Sequence, residues 1–270
     1  MEDIRVLTSI VVGYHPLHAL LRSQFGVTDR DDMTISFSEQ PDRPLLSVIV
    51  PVFNESATVE ALVSRVVDVP IFKQIIVIDD GSTDESSAIL KRLAECPGVE
   101  LLTHATNNGK GAAIRSGIRQ ARGEIVLIQY ADLEYDPREY ESLVSPFRND
   151  PECSVVYGSR FRGDLQAMSA WHRFGNQFVT RAFNLLYGTD LTDMETCYKA
   201  IRRSALEGFE IESDRWGVDP EITAKLVRAG HTIVEVPVDY SGRNFGSGKK
   251  LRWKDGFSVL VAIVRYRFAR

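Results

Sequence analysis

Two apolar runs without polar alternation, LLSVIVPVF (Leu45 to Phe53) and QIIVIDD (Gln74 to Asp80), flank a segment of helical spacing from Ser56 to Val67. Runs of this kind belong to strands covered on both faces, and strand, helix, strand over this length closes as a parallel pair. The rhythm continues through a helix from Thr83 to Ala94, a strand from Val99 to Thr103, a helix from Lys110 to Ala121 and the strand EIVLIQY (Glu124 to Tyr130). The chain is therefore expected to be a doubly wound, Rossmann-like α/β domain, its central sheet mostly parallel with helices on both faces. Beyond Asp136-Pro137 the rhythm loosens. A strand near Ser154 to Tyr157 precedes a long polar and aromatic stretch reaching Tyr187, and a helix around Pro220 to Ala229 precedes a strand from Thr232 to Val238. The polar, proline-punctuated segment 28–44 sets the organisation: 1–44 as an N-terminal extension and linker, 45–240 as the main domain, and 241–270 as a basic loop and C-terminal amphipathic helix.

A formal net charge of −5 over 270 residues gives no broad basic face, so nucleic acid is not an expected partner and any phosphate must be bound locally. Three cysteines, Cys96, Cys153 and Cys197, are far apart and free of metal-site spacing, which fits a reducing compartment. No stretch of about 18 apolar residues occurs. The short run Ile10 to Val12, interrupted soon after by His15 and His18, does not read as a secretory signal. A cytoplasmic location, peripheral at the cytoplasmic face of a membrane, is the expectation.

In an open parallel sheet the ligand sits beyond the carboxyl ends of the strands. Those positions are here acidic, polar or glycine: Pro51, Asn54 and Glu55 after the first run, Asp79, Asp80, Gly81 and Ser82 after the second, and Tyr130, Ala131, Asp132 and Glu134 after EIVLIQY. In DDGSTD, Asp79 and Asp80 either cap the next helix or accept hydrogen bonds from a nucleobase. In Asn107 to Ala113 (NNGKGAA), Lys110 and the amide of Gly111 stand at a helix start, where backbone N–H groups can face an anion. The spacing is not that of a Walker A loop. If the chain stays extended through ADLEYD, Asp132 and Glu134 share a side, and such hard oxygens suit Mg²⁺ or Mn²⁺ on a diphosphate. The competing reading is a solvated acidic turn before Pro137.

Taken in order, SVIVPVFNE, VIDDGSTD, NNGKGAAIRSGI, ADLEYDP, VYGSRF, HRFGN, LTDMETCYKA and DPEITAKL resemble the family 2 glycosyltransferases of the GT-A fold, over roughly residues 45 to 245. Within that family the sequence is most similar to dolichyl-phosphate mannose synthases and bacterial polyprenyl-phosphate hexosyltransferases. The resemblance implies an inverting transfer of a hexose from GDP-mannose or a UDP-sugar to a polyprenyl phosphate. It gives Pro51, Glu55 and Asp80 roles in holding the nucleotide, makes Asp132 the last Asp of the DxD motif, and makes Glu134 a further metal ligand. It casts Arg160, in GSRF, and Arg173, in HRFGN, as holders of the acceptor phosphate. One departure is plain: the family's DAD reads Tyr130-Ala131-Asp132, so the first carboxylate is missing.

A phosphate monoester is largely dianionic at neutral pH and needs no strong base, so positioning and charge stabilisation dominate. A hydroxyl of a metabolite or saccharide would need a carboxylate base, for which Asp193 and Glu195 in TDMET are nearest. A non-catalytic nucleotide-sugar-binding protein is the third reading. Trp171, Phe174, Phe178, Phe183 and Tyr187 form an aromatic stretch expected mainly in the core, with lipid contact as the alternative. The loop Ser241 to Lys250 reads as a mobile cover for bound anions or as a merely solvated loop. The C-terminal segment GFSVLVAIVRYRFAR lies on a membrane surface, on the protein's own core, or on a second copy in a homodimer.

Overall fold

The computed structural model describes residues 43–166, 168–242 and 253–268. The extension 1–42 and the basic stretch 243–250 lie outside the described residues, and with them the readings placed on Ile10 to Val12 and on most of the glycine-rich loop.

Seven strands make the main sheet: β1 (Leu46–Val52), β2 (Lys73–Asp79), β3 (Val99–Thr103), β4 (Ile125–Ile128), β5 (Val155–Ser159), β7 (Lys199–Arg202) and β8 (Ile233–Pro237). Their order is β3-β2-β1-β4-β7-β5-β8, while β6 (Leu165–Gln166) and β9 (Tyr240–Ser241) form a separate ribbon. The helices are α1 (Val59–Asp68), α2 (Ser86–Leu93), α3 (Lys110–Gln120), α4 (Tyr140–Asn149), α5 (Ala170–Tyr187), α6 (Val218–Arg228) and α7 (Trp253–Phe268). All pairings are parallel except those of β7, which runs antiparallel between β4 and β5. The chain leaves β3 on one side of β1 and returns as β4 on the other, which opens a crevice at the carboxyl ends of β1 and β4.

The apolar runs fold as they do because both faces are covered. Val48, Val50 and Val52 point to one face and pack in a cluster with Leu62, Val66 and Leu143. Ile49, Ile76 and Ile78 point to the other and pack with Ile114, Ile222 and Leu226. A third cluster joins Val179 and Phe183 of α5 to Val259, Ile263 and Tyr266 of α7. The C-terminal helix thus packs one face on the protein's own core, which decides part of what its sequence left open.

Two local expectations are corrected. EIVLIQY stops being a strand at Ile128; Gln129 beyond it is fully buried, and its Oε1 accepts from both Tyr140 and Tyr198 hydroxyls at 2.9 Å. The polar and aromatic stretch before Tyr187 is an 18-residue helix. Ser169 caps its start by accepting from His172 N (3.3 Å), and Gly188 ends it in the left-handed conformation (φ 70°). Apolar side chains on two opposite sides of α5 hide its period from a sequence reading.

Candidate active site

The crevice is a cavity of about 790 Å³, within the usual size of small-ligand sites. Pro51, Glu55, Asp80, Lys110, Ala131, Asp132, Glu134 and Arg160 all line it. Four other candidates do not. Asn54, in the left-handed region (φ 53°), locks the loop after β1 to the loop after β2, its Oδ1 accepting from Thr83 N (2.8 Å). Asp79 caps its own turn, accepting from Ser82 N (2.9 Å) and from the Ser87 hydroxyl. Gly111 gives its N–H to Asp214 O at 2.7 Å, and a Cβ there would sit 1.9 Å from Ser213 O. It is a glycine because the 213–215 backbone lies on the start of α3, so the anion expected at that amide is replaced by a carbonyl. Arg173 is exposed on α5, whose other side supplies His172 and Asn176 to the cavity.

Asp80 holds the loop before α3. Its Oδ1 accepts from Asn108 N (3.0 Å) and lies 2.7 Å from His104 Nδ1, and its Oδ2 accepts from Gly109 N (2.7 Å). Gly109 needs φ 101°, and a Cβ there would meet Asp214 O at 2.4 Å. The Asp80 carboxylate is therefore the anion at this helix start. With about four acceptor positions on a carboxylate, one remains for a nucleobase.

Asp132 and Glu134 occupy a turn and not a strand. Leu133 between them is left-handed (φ 60°), and Glu134 N donates to Asp132 Oδ1 (3.1 Å). Such backbone strain at a non-glycine residue persists where the surroundings enforce it. Here Glu134 is tied to β9, accepting from the Tyr240 hydroxyl at 2.8 Å and from Ser241 N at 3.0 Å. Among the described residues no group of three or more His, Cys, Asp or Glu is placed to hold a metal.

The wall opposite carries two lysines and an arginine, drawn from distant parts of the chain. Asp219 is buried and bonds Lys110 Nζ (2.5 Å) and Lys199 Nζ (2.9 Å). Burial opposes its ionisation, but the two ammonium groups outweigh this and hold its pKa at about 2. Two lysines against one aspartate leave one net positive charge. The Tyr130 hydroxyl, where the motif's first carboxylate is expected, accepts from Lys110 Nζ at 2.7 Å. Trp216 and the exposed Arg215 line the same wall, with the Lys110 ammonium 4.9 Å from the Trp216 ring centre. Asp219 and Lys199 lie far along the chain from Lys110, so only the fold brings them together.

Arg160 and Asp193 form a buried fork. Arg160 Nε and Nη2 each donate to an Asp193 oxygen at 2.6 Å, and Arg160 N adds a third bond at 3.0 Å. Asp193 is thereby removed as a base. Glu195 faces the cavity with Oε1 buried and without a hydrogen-bond partner, and burial followed by the Asp219 carboxylate pushes its pKa up to about 7. A glutamate whose folded pKa lies above its ordinary 4.5 stabilises the fold below that pH, and this stability is lost as pH rises through about 7. Urea unfolding between pH 5 and 8 should show stability falling by up to about 1.4 kcal/mol per pH unit from this group, and Glu195→Gln should flatten the fall. An unchanged slope in that variant would remove the assignment.

The glycosyl transferase family 2 model matches residues 47–209, more than half of the chain. The chain belongs to this family. It is a glycosyltransferase of GT-A fold. Among its relatives is the undecaprenyl-phosphate mannosyltransferase of Micrococcus luteus, 30% identical over 74% of this chain and 85% of that protein. Another is the undecaprenyl-phosphate 4-deoxy-4-formamido-L-arabinose transferase of Pseudomonas aeruginosa, 31% identical over 76% of this chain. The chain spans 60% of the latter's length. The glucosyl-3-phosphoglycerate synthase of Mycobacterium tuberculosis, solved with Mn²⁺, UDP and phosphoglyceric acid, superposes with a TM-score of 0.65 over 83% of this chain and 79% of its own. At 18% identity that likeness is one of fold. No helix among the described residues is long and apolar enough to cross a membrane.

Proposed function

We propose that this family 2 transferase moves a hexose from a nucleotide-diphosphate sugar to a polyprenyl phosphate, with inversion. The observation that carries the reading is the division of one cavity into an acidic turn, Asp132 and Glu134, and a facing wall where Lys110, Arg215 and Asp219 line the cavity with the buried Lys199 ammonium behind them. A donor diphosphate and an acceptor phosphate are both anions, and their approach needs cations on each side. Asp132 and Glu134 would hold Mg²⁺ or Mn²⁺, which supplies charge neutralisation for the departing nucleotide diphosphate. Lys110 spends two of its three N–H groups on Tyr130 and Asp219, leaving one for a phosphate oxygen. Pro51, Glu55 and Asp80 line the nucleotide end. Arg160 shapes the acceptor end through Asp193, and its guanidinium lies 5.4 Å from the Tyr240 ring centre. The names of the two undecaprenyl-phosphate relatives support the same acceptor class.

The test is transfer from radiolabelled GDP- and UDP-sugars to polyprenyl phosphate, with the product extracted into organic solvent. Label should reach the organic phase only with a divalent cation present. Full transfer in excess chelator would remove the metal, and absence of lipid-linked product with every donor would remove the acceptor. A second reading, a hydroxyl acceptor, is favoured by one observation: Glu195 is a cavity carboxyl with a pKa near neutrality and an unpartnered oxygen, as a general base requires. Label appearing on a water-soluble sugar or metabolite hydroxyl, and lost in Glu195→Gln, would establish it.

A further inference from the structure

The segment before α6 reaches back over the start of α3 and is fixed there from several sides. Asp214 O accepts from Gly111 N (2.7 Å) and Ala112 N (3.2 Å), two of the N–H groups that a helix start leaves unpaired. Arg115, one turn along α3, donates to Ile211 O at 2.8 Å. The Glu221 carboxylate accepts from Glu212 N and Ser213 N, both at 2.7 Å, and the Ser213 hydroxyl lies 2.9 Å from the Tyr266 hydroxyl. What this anchored loop presents to the cavity is Arg215 and Trp216.

Arg215 arrives there as a cation with its charge unspent. The acids nearest to it in sequence are engaged elsewhere, Asp214 with Arg115 (2.7 Å) and Glu212 with Lys225 (3.2 Å) and Arg265 (2.8 Å). Among the described residues the Arg215 guanidinium makes no ion pair and no hydrogen bond. Its stem, by contrast, is closely seated: a Cβ on Gly109 would lie 2.9 Å from Arg215 Cγ. Gly109 N is the amide that donates to Asp80 Oδ2, and Lys110 follows it in the chain. Arg215 therefore enters the cavity at the nucleotide end, beside the one Lys110 N–H left for a phosphate oxygen. The acceptor end, around Arg160 and Asn176, is built from other elements.

We infer that Arg215 grips the diphosphate of the nucleotide-sugar donor and forms, with Lys110, a two-cation clamp on it. The proposal rests on the donor reading above and adds to that reading a residue from the far half of the chain. A guanidinium meets two oxygens of a phosphate at once through its planar fork, whereas an ammonium acts as a point charge. Charge grows on the diphosphate as the sugar bond breaks, so cations already in place there act most strongly in the transition state. Because Arg215 has no carboxylate to leave, and its loop is held by backbone bonds, it meets that charge without first breaking an ion pair.

The experiment is calorimetric titration of the full chain with UDP and with GDP in the presence of Mg²⁺, for the parent, Arg215→Gln and Arg215→Lys. For the nucleotide that the parent binds, Arg215→Gln should weaken affinity at least tenfold, and Arg215→Lys should fall between the two. Affinity for the corresponding nucleoside, measured by competition, should stay within twofold, and the melting temperature should not change. Equal diphosphate affinity in parent and Arg215→Gln would overturn the proposal. So would an equal loss for the nucleoside, which would make Arg215 a support of the base site. A raised KM for a ten-carbon isoprenyl phosphate, with diphosphate affinity unchanged, would move Arg215 to the acceptor and overturn it as well. If the parent binds neither nucleotide, the donor reading falls and takes the clamp with it, whereas binding that is equal in parent and variant removes Arg215 alone.

Discussion

Asp132→Asn should lower kcat by about a hundredfold or more and leave the melting temperature within a few degrees of the parent. Removing one group that stabilises developing charge typically costs about 10²–10³ in turnover, or roughly 3–4 kcal/mol of barrier. The fold should tolerate the change because the bond that Asp132 gives the turn, accepted from Glu134 N at 3.1 Å, is one that an asparagine carbonyl oxygen also accepts. Steady-state transfer over a range of Mg²⁺ and Mn²⁺ concentrations, beside a thermal melt, separates the two effects. A variant as fast as the parent would sink the assignment of Asp132. A variant that loses several kcal/mol of stability would instead make Asp132 a keystone of the turn.

The second large effect is on stability. Asp193→Ala should cost about 3–5 kcal/mol, because it leaves the buried Arg160 guanidinium without its carboxylate and with only the longer bond to Asn176 Oδ1 (3.4 Å). Arg160 is 7% exposed and Asp193 is fully buried, so the pair is held largely out of water. For a domain of this size that is a fall in Tm of about 10 °C or more. Arg160→Met together with Asp193→Leu should recover most of the loss, since an apolar pair of similar volume avoids the desolvation of two charges. A double variant no more stable than Asp193→Ala would show that the bond to Arg160 N, which no side-chain swap restores, dominates. Arg160→Lys keeps the charge but not the two-pronged fit, and it should fall between parent and alanine.

The strands of the first half were legible because a fully covered parallel strand is written as an unbroken apolar run, and because strand ends carry the polar residues of an α/β crevice. Pro51, Glu55, Asp80, Asp132 and Glu134 could be picked out on that rule, and Lys110 from its place between two glycines at a helix start. The failures have local causes. Gly111 reads as an anion-binding amide, yet the space in front of it is filled by residues 213–215, about a hundred positions later in the chain. Asp79 and Asp80 look equivalent in sequence, but strand alternation and the turn give one to the helix cap and the other to the cavity. The lysine and aspartate wall was not legible at all, since Lys110, Lys199 and Asp219 meet only through tertiary packing. For α5 the aromatic rings pointed toward a core assignment, but three of them face outward.

The place of β7 bears on how the chain is made. Residues 46–128 form four adjacent parallel strands that can assemble as soon as they leave the ribosome, but they end in β4, whose free side is the apolar sequence Ile-Val-Leu-Ile. The next strand synthesised, β5, does not pair there, because its place is one position farther out. Until residue 202 has emerged, β4 is thus an open edge of the kind that recruits other chains. At 5–20 residues per second the 74 residues from Ile128 to Arg202 leave that edge uncapped for about 4–15 seconds of translation. Helix α4 and β5, already made, have only the flanks to cover in that interval, so the antiparallel insertion in the middle of the sheet sets a window in which a nascent chaperone has something to hold.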